Sequence, residues 1–101
     1  MEEKVYFKTS DGLKLCGILS TPKIKTNKCI ILCHGIGYHK DEDENLFKNF
    51  TKRLLNAGFA VFRFDFRGHG ESEGKSVDVT IIGEAKDLEA AQLNFSQASQ
   101  D

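Results

Sequence analysis

The sequence predicts an α/β fold in a single partial domain over residues 1–101: an antiparallel β-hairpin, a βαβ unit, then a helix. Three observations carry that expectation. Two β-patterned segments flank Asp11-Gly12, a dipeptide favoured in hairpin turns. The run Cys29-Ile30-Ile31-Leu32-Cys33 is continuously apolar, as in a strand covered on both faces of a parallel sheet. A helical spacing of apolar residues links that run to a second one ending at Asp65, and strand–helix–strand over about 37 residues suits a βαβ unit.

The hairpin occupies residues 4–20. Lys4-Val5-Tyr6-Phe7-Lys8-Thr9 supplies β-branched and aromatic residues, and Ser10-Asp11-Gly12 supplies the turn. Leu13, Cys16, Ile18 and Leu19 populate the second strand, closed by Ser20-Thr21-Pro22. The basic stretch 23–28 reads as a solvated connector. The βαβ unit covers residues 29–65. Its first strand stops at His34-Gly35-Ile36-Gly37; Leu46, Phe47, Phe50, Leu54 and Leu55 then form the apolar stripe of a helix. Asp41, Glu42, Asp43 and Glu44 precede that helix and suit its dipole, and Gly58 provides a stop. Strands joined by such a crossover are expected to run parallel. The glycine-punctuated loop and last helix fill residues 66–95. The helix starts near Thr80 and carries Ile81, Ala85, Leu88 and Phe95 along one face.

Composition narrows the function classes. Fourteen basic against fifteen acidic residues leave a net charge of −1, which is no footprint for nucleic acid or anionic lipid. An apolar fraction of 40%, organised in runs, speaks against disorder. No stretch approaches the ~20 apolar residues that span a bilayer, and Met1-Glu2-Glu3-Lys4 lacks a signal-peptide charge pattern. The expected location is cytoplasmic, without a membrane partner. Three cysteines are an odd number and do not form a disulfide framework. Cys29 and Cys33 would lie roughly 13 Å apart along one strand, beyond the about 7 Å a disulfide tolerates. With Cys16 they read as small buried hydrophobes in a reducing compartment.

Two loops carry the chemistry. His34-Gly35-Ile36-Gly37 follows a buried strand directly, and a glycine turn there exposes backbone N–H groups that can receive a tetrahedral oxyanion. A plain strand-to-loop turn with a surface histidine is the bland alternative. The second loop, Asp65-Phe66-Arg67-Gly68-His69-Gly70-Glu71-Ser72, follows the next strand. Open α/β sheets place ligands at the carboxyl ends of their strands. For Arg67 and His69 the favoured reading is structural: hydrogen bonds that hold the loop.

The order hairpin, His-Gly-x-Gly strand, helix, Asp-x-Arg-Gly-His-Gly-x-Ser strand and helix resembles the N-terminal part of the α/β-hydrolase fold over residues 3–95. The resemblance is to small serine esterases, lysophospholipase-like and cinnamoyl-ester-hydrolase-like enzymes and related serine peptidases. It implies a serine hydrolase acting through an acyl-enzyme on carboxylic esters, or on amides and peptides. It implies that Ile36 donates its backbone N–H to the oxyanion hole, with His34, Gly35 and Gly37 beside the substrate. It also implies that the nucleophile-elbow strand starts after the helix ending near Phe95, so the sheet is incomplete and the triad absent.

Gly70-Glu71-Ser72-Glu73-Gly74 matches Gly-x-Ser-x-Gly, but the elbow needs a strand running into the serine and a helix leaving it. The strand ends near Asp65, no helix starts at Gly74, and no histidine follows Ser72, so Ser72 is rejected as nucleophile. His39, Asp41 and Asp43 lack the pattern of a calcium loop. No metal and no cofactor is expected. The expected reading is an N-terminal fragment of an esterase-like enzyme whose partner is a small-molecule ester. The alternative is an inert truncated or split-gene product acting as an assembly module. Ile30, Ile31 and Leu32 on an uncovered sheet edge predict self-association or complementation by strand addition.

Overall fold

A computed structural model describes residues 1–34, 46–75 and 79–95. The elements are β1 (Glu2–Lys8), β2 (Lys14–Ser20), β3 (Cys29–Cys33), α1 (Leu46–Asn56), β4 (Ala60–Phe64) and α2 (Ile81–Phe95). The four strands form one sheet in the order β1-β2-β4-β3. β1 and β2 are antiparallel, with Lys8 opposite Lys14, and β3 and β4 are parallel, as the sequence predicts. β2 pairs antiparallel with β4 and joins the hairpin to the βαβ unit. β3, expected as a neighbour of a further strand, is the sheet edge among the described residues.

Turn chemistry explains the element ends. Gly12 takes a φ of 93°, and the N–H groups of Thr9 and Gly12 donate to the carbonyls of Leu13 and Thr9. At the end of α1, Phe59 N–H donates to Leu54 O and Gly58 N–H to Leu55 O, with Gly58 at φ 92°. This is the Schellman arrangement, in which a left-handed glycine satisfies the last helical carbonyls. At the start of α2, the Thr80 hydroxyl caps the N–H of Gly83.

The core lies on one face of the sheet. Phe7, Leu15, Phe62, Phe64 and Phe66 pack against Ala90 and Ala91 of α2. Phe7 meets Phe62 and Phe64 edge-on, at centroid distances of 5.5 and 5.7 Å. Alternation along each strand sends these rings to the same side. The burial of α2 corrects the sequence expectation. Ile81 is 88% exposed and Ala85 is also exposed, whereas Gly83, Asp87, Ala90 and Ala91 are buried. The two sets differ by two positions, about 200° around a helix, so the opposite side faces the sheet. Small residues let the helix backbone approach the Phe-rich surface, Leu88 is half-buried, and Ile81, Ile82 and Leu93 are left outside. α1 departs similarly: Phe47, Leu54 and Leu55 are half-buried and Thr51 is buried, but Leu46 and Phe50 are exposed.

Gly17 sits in β2 against this core, and a Cβ there would lie 2.5 Å from Phe62 Cζ and 2.9 Å from the Arg63 carbonyl oxygen. Gly17→Ala is therefore expected to cost about 1–3 kcal/mol of stability. The measurement is the urea midpoint, which should fall while the m-value stays constant.

Candidate functional site

The carboxyl ends of the two parallel strands bring His34 and the loop 65–75 together. His34 follows β3 and is 6% exposed. Its Nε2 accepts the Phe66 N–H at 2.9 Å. A backbone N–H can only donate, so Nε2 is the unprotonated nitrogen and a neutral ring carries its proton on Nδ1. The His34 ring stands edge-on to Phe66 at 5.1 Å and lies 4.9 Å from the ring of His69. His69 Nδ1 lies 2.9 Å from the Arg67 carbonyl oxygen, to which it donates. Gly35, Ile36 and Gly37 lie outside the described residues, as do His39 and the acids 41–44.

Arg67 anchors the second loop. Its Nη1 and Nη2 donate to Oδ2 and Oδ1 of Asp11 at 2.8 and 2.9 Å. Its Nε and backbone N–H donate to the two carboxylate oxygens of Asp87 at 2.9 and 2.8 Å. One planar guanidinium thus grips the hairpin turn and α2 together. The structural reading of Arg67 and His69 holds in this geometry. The residues not legible in the sequence are the partners: Asp11 reads there only as part of a turn, and Asp87 is not singled out. A lone acid spaced with Gly83, Ala90 and Ala91 was the available signal.

Ser72 is occupied in the same way. Its hydroxyl donates to the Asp65 carbonyl at 2.5 Å and accepts the Cys16 N–H at 2.8 Å, tying the end of β4 to β2. Glu73 N–H donates to Lys14 O, and Lys14 N–H to Glu73 Oε1, so the loop lies along the hairpin. Gly70, at φ 48°, leaves no room for a Cβ beside the Asp65 carboxylate. No helix leaves Ser72 directly: residues 73–75 are not helical, and α2 begins at Ile81.

One set of metal-capable atoms occurs among the described residues: Cys16, Asp65 and Glu71 place ligand atoms within 4.8 Å of one another. The Lys4 ammonium already holds Glu71 at 2.7 Å, and that hydrogen bond raises the Lys4 pKa. Glu71 N–H in turn donates to Asp65 Oδ2. Burial pushes the Cys29 thiol above its ordinary pKa, which disfavours a thiolate nucleophile. Cys33, expected to be buried, is exposed because it ends the edge strand. No helix among the described residues is long and apolar enough to cross a membrane.

Comparison with known proteins places this geometry. Residues 24–96 match the family described as serine aminopeptidase, S33. The chain belongs to this family of α/β-hydrolases. An uncharacterised abhydrolase domain-containing protein of Dictyostelium discoideum is 38% identical over 66 residues, covering 65% of this chain and 7% of that protein. A monoacylglycerol lipase of Mycolicibacterium smegmatis is 29% identical over 72% of this chain and 25% of its own length. Among solved structures, an esterase of Pyrococcus furiosus superposes with a TM-score of 0.81 at 30% identity, over 99% of this chain and 37% of that one. The α/β-hydrolase GrgF of Penicillium sp. sh18 gives 0.81 at 26% identity, over 92% and 31%. This α/β-hydrolase chain therefore spans well under half the length of the relatives it matches.

Two outcomes follow from the Arg67 network. Arg67→Ala leaves the buried Asp87 carboxylate uncompensated and is expected to cost about 3–5 kcal/mol, read as a loss of folding stability in denaturant. The Arg67 guanidinium beside Asp11 holds the Asp11 carboxyl well below its ordinary value of 3.8. A depressed folded-state pKa adds stability that is complete above the unfolded value and is lost as pH falls below about 4. Stability measured against pH should decline there, and Asp11→Asn should flatten the decline.

Proposed function

We propose that this chain is the N-terminal portion of a serine hydrolase that cleaves carboxylic esters, with amides and peptides as the second class of acyl bond. On this reading it supplies the oxyanion-hole loop, while nucleophile, acid and base lie outside these residues. The observation that carries the proposal is the superposition on the Pyrococcus furiosus esterase across nearly the whole chain.

The chemistry is acyl transfer. A serine attacks the ester carbonyl, and the carbonyl oxygen gains negative charge as the tetrahedral intermediate forms. The Ile36 N–H donates to that oxygen, and Gly35 and Gly37 let the backbone approach it without side-chain obstruction. Ser72 is not the nucleophile. Its hydroxyl holds Asp65 and Cys16, and Glu71 and Glu73 beside it would oppose a developing anion. The edge of β3 that no described strand pairs takes the next strand of the sheet, and the same edge is where an isolated chain would self-associate or be complemented.

A fluorophosphonate probe tests this reading. The 101-residue chain should take no label, and the full-length enzyme should be labelled with Ser72→Ala unchanged. Label on the isolated chain that disappears in Ser72→Ala would overturn the assignment. In the full-length enzyme, Ile36→Pro removes the N–H and should lower kcat by about 100–1000-fold, whereas Ile36→Ala should retain activity.

A further inference from the structure

We propose that His34 is a positioning residue rather than a substrate contact: its neutral imidazole latches the end of β3 to the start of the loop after β4. The inference rests on the esterase reading for its kinetic consequence and on geometry for the latch itself.

His34 is 6% exposed, too buried to present its ring to a substrate. On the loop, Nε2 accepts the Phe66 N–H at 2.9 Å. That N–H belongs to the first residues beyond β4, where ladder pairing has ended, so the imidazole satisfies a donor that the sheet no longer serves. The ring is fixed from two further sides, edge-on by Phe66 and by the His69 ring at 4.9 Å. His69 is itself set by the Arg67 carbonyl, and Arg67 by Asp11 and Asp87. The latch therefore ends a chain of contacts running from the hairpin turn and α2 to the residue that opens the His-Gly loop. Ile36, the oxyanion donor of the esterase reading, is two residues from His34 in the chain. A misplacement of about 1 Å at a catalytic group can cost about 100-fold in rate.

The geometry requires an acceptor at the Nε2 position and no proton there. Glutamine places its amide oxygen near that position, leucine offers no acceptor, and asparagine is too short. In the full-length enzyme His34→Leu and His34→Asn should lower kcat for a small ester by about 100-fold with KM nearly constant, and His34→Gln should restore most of it. A rise in KM shared by all three variants would overturn the latch in favour of a substrate contact. Equal loss of kcat in His34→Gln and His34→Leu would also overturn it. The wild-type enzyme supplies a test independent of folding in the variants: long-range proton–nitrogen NMR spectra should show His34 protonated on Nδ1 and not on Nε2. A proton on Nε2 sinks the latch whatever the enzyme's substrate. Failure of the full-length enzyme to take the fluorophosphonate label would instead refute the esterase reading and leave the latch standing.

Discussion

The Arg67 guanidinium donates to a carboxylate from the hairpin turn and to another from the last helix, and the arrangement of the loops depends on it. Asp87 is fully buried, so its charge is tolerable only because the Nε and backbone N–H of Arg67 meet both of its oxygens. Such a network adds little net stability against an apolar alternative, yet losing one member is costly. What it supplies is placement. Residues 11, 67 and 87 are far apart in sequence, and one planar fork fixes their relative positions. The glycines of the loop then become necessary, since Gly70 at φ 48° passes directly against the Asp65 carboxylate.

The same network explains which side of α2 is buried. A helix that must deliver Asp87 to Arg67 also turns Gly83, Ala90 and Ala91 towards the sheet. That side is small, and it matches a sheet surface already filled by Phe7, Phe62 and Phe64. Gly17 follows the same logic within the sheet, because the Phe62 ring occupies the space a side chain would need. Large rings on the sheet and small residues on the helix and β2 are two halves of one packing solution. Ile81, Ile82 and Leu93 are left on the outer side of α2.

In this family member the ends of two parallel strands are joined through His34 and Phe66. A histidine that serves as an acceptor for a backbone donor, a serine that bridges two strands and an arginine that bridges two carboxylates are all polar groups with structural duties. Ser72, in its Gly-Glu-Ser-Glu-Gly setting, joins the Asp65 carbonyl to the Cys16 N–H.

The sequence by itself determined the element order, the hairpin, the parallel pairing of β3 with β4 and the family. Each rests on local signals: Asp11-Gly12 before a β-patterned run, an unbroken apolar strand, and glycine motifs at strand ends. Gly58 was legible as a stop because only a residue free at positive φ completes that helix end. The buried face of α2 was not legible, because hydropathy favours Ile81 over Ala90, whereas the close approach of the helix to a phenylalanine surface favours the smaller residue. Nor was the role of Asp87 or His34, since a buried charge or a buried acceptor becomes intelligible only beside its partner. Arg67 and Phe66 are brought to them by the crossing of separate elements, and that is a property of the tertiary fold.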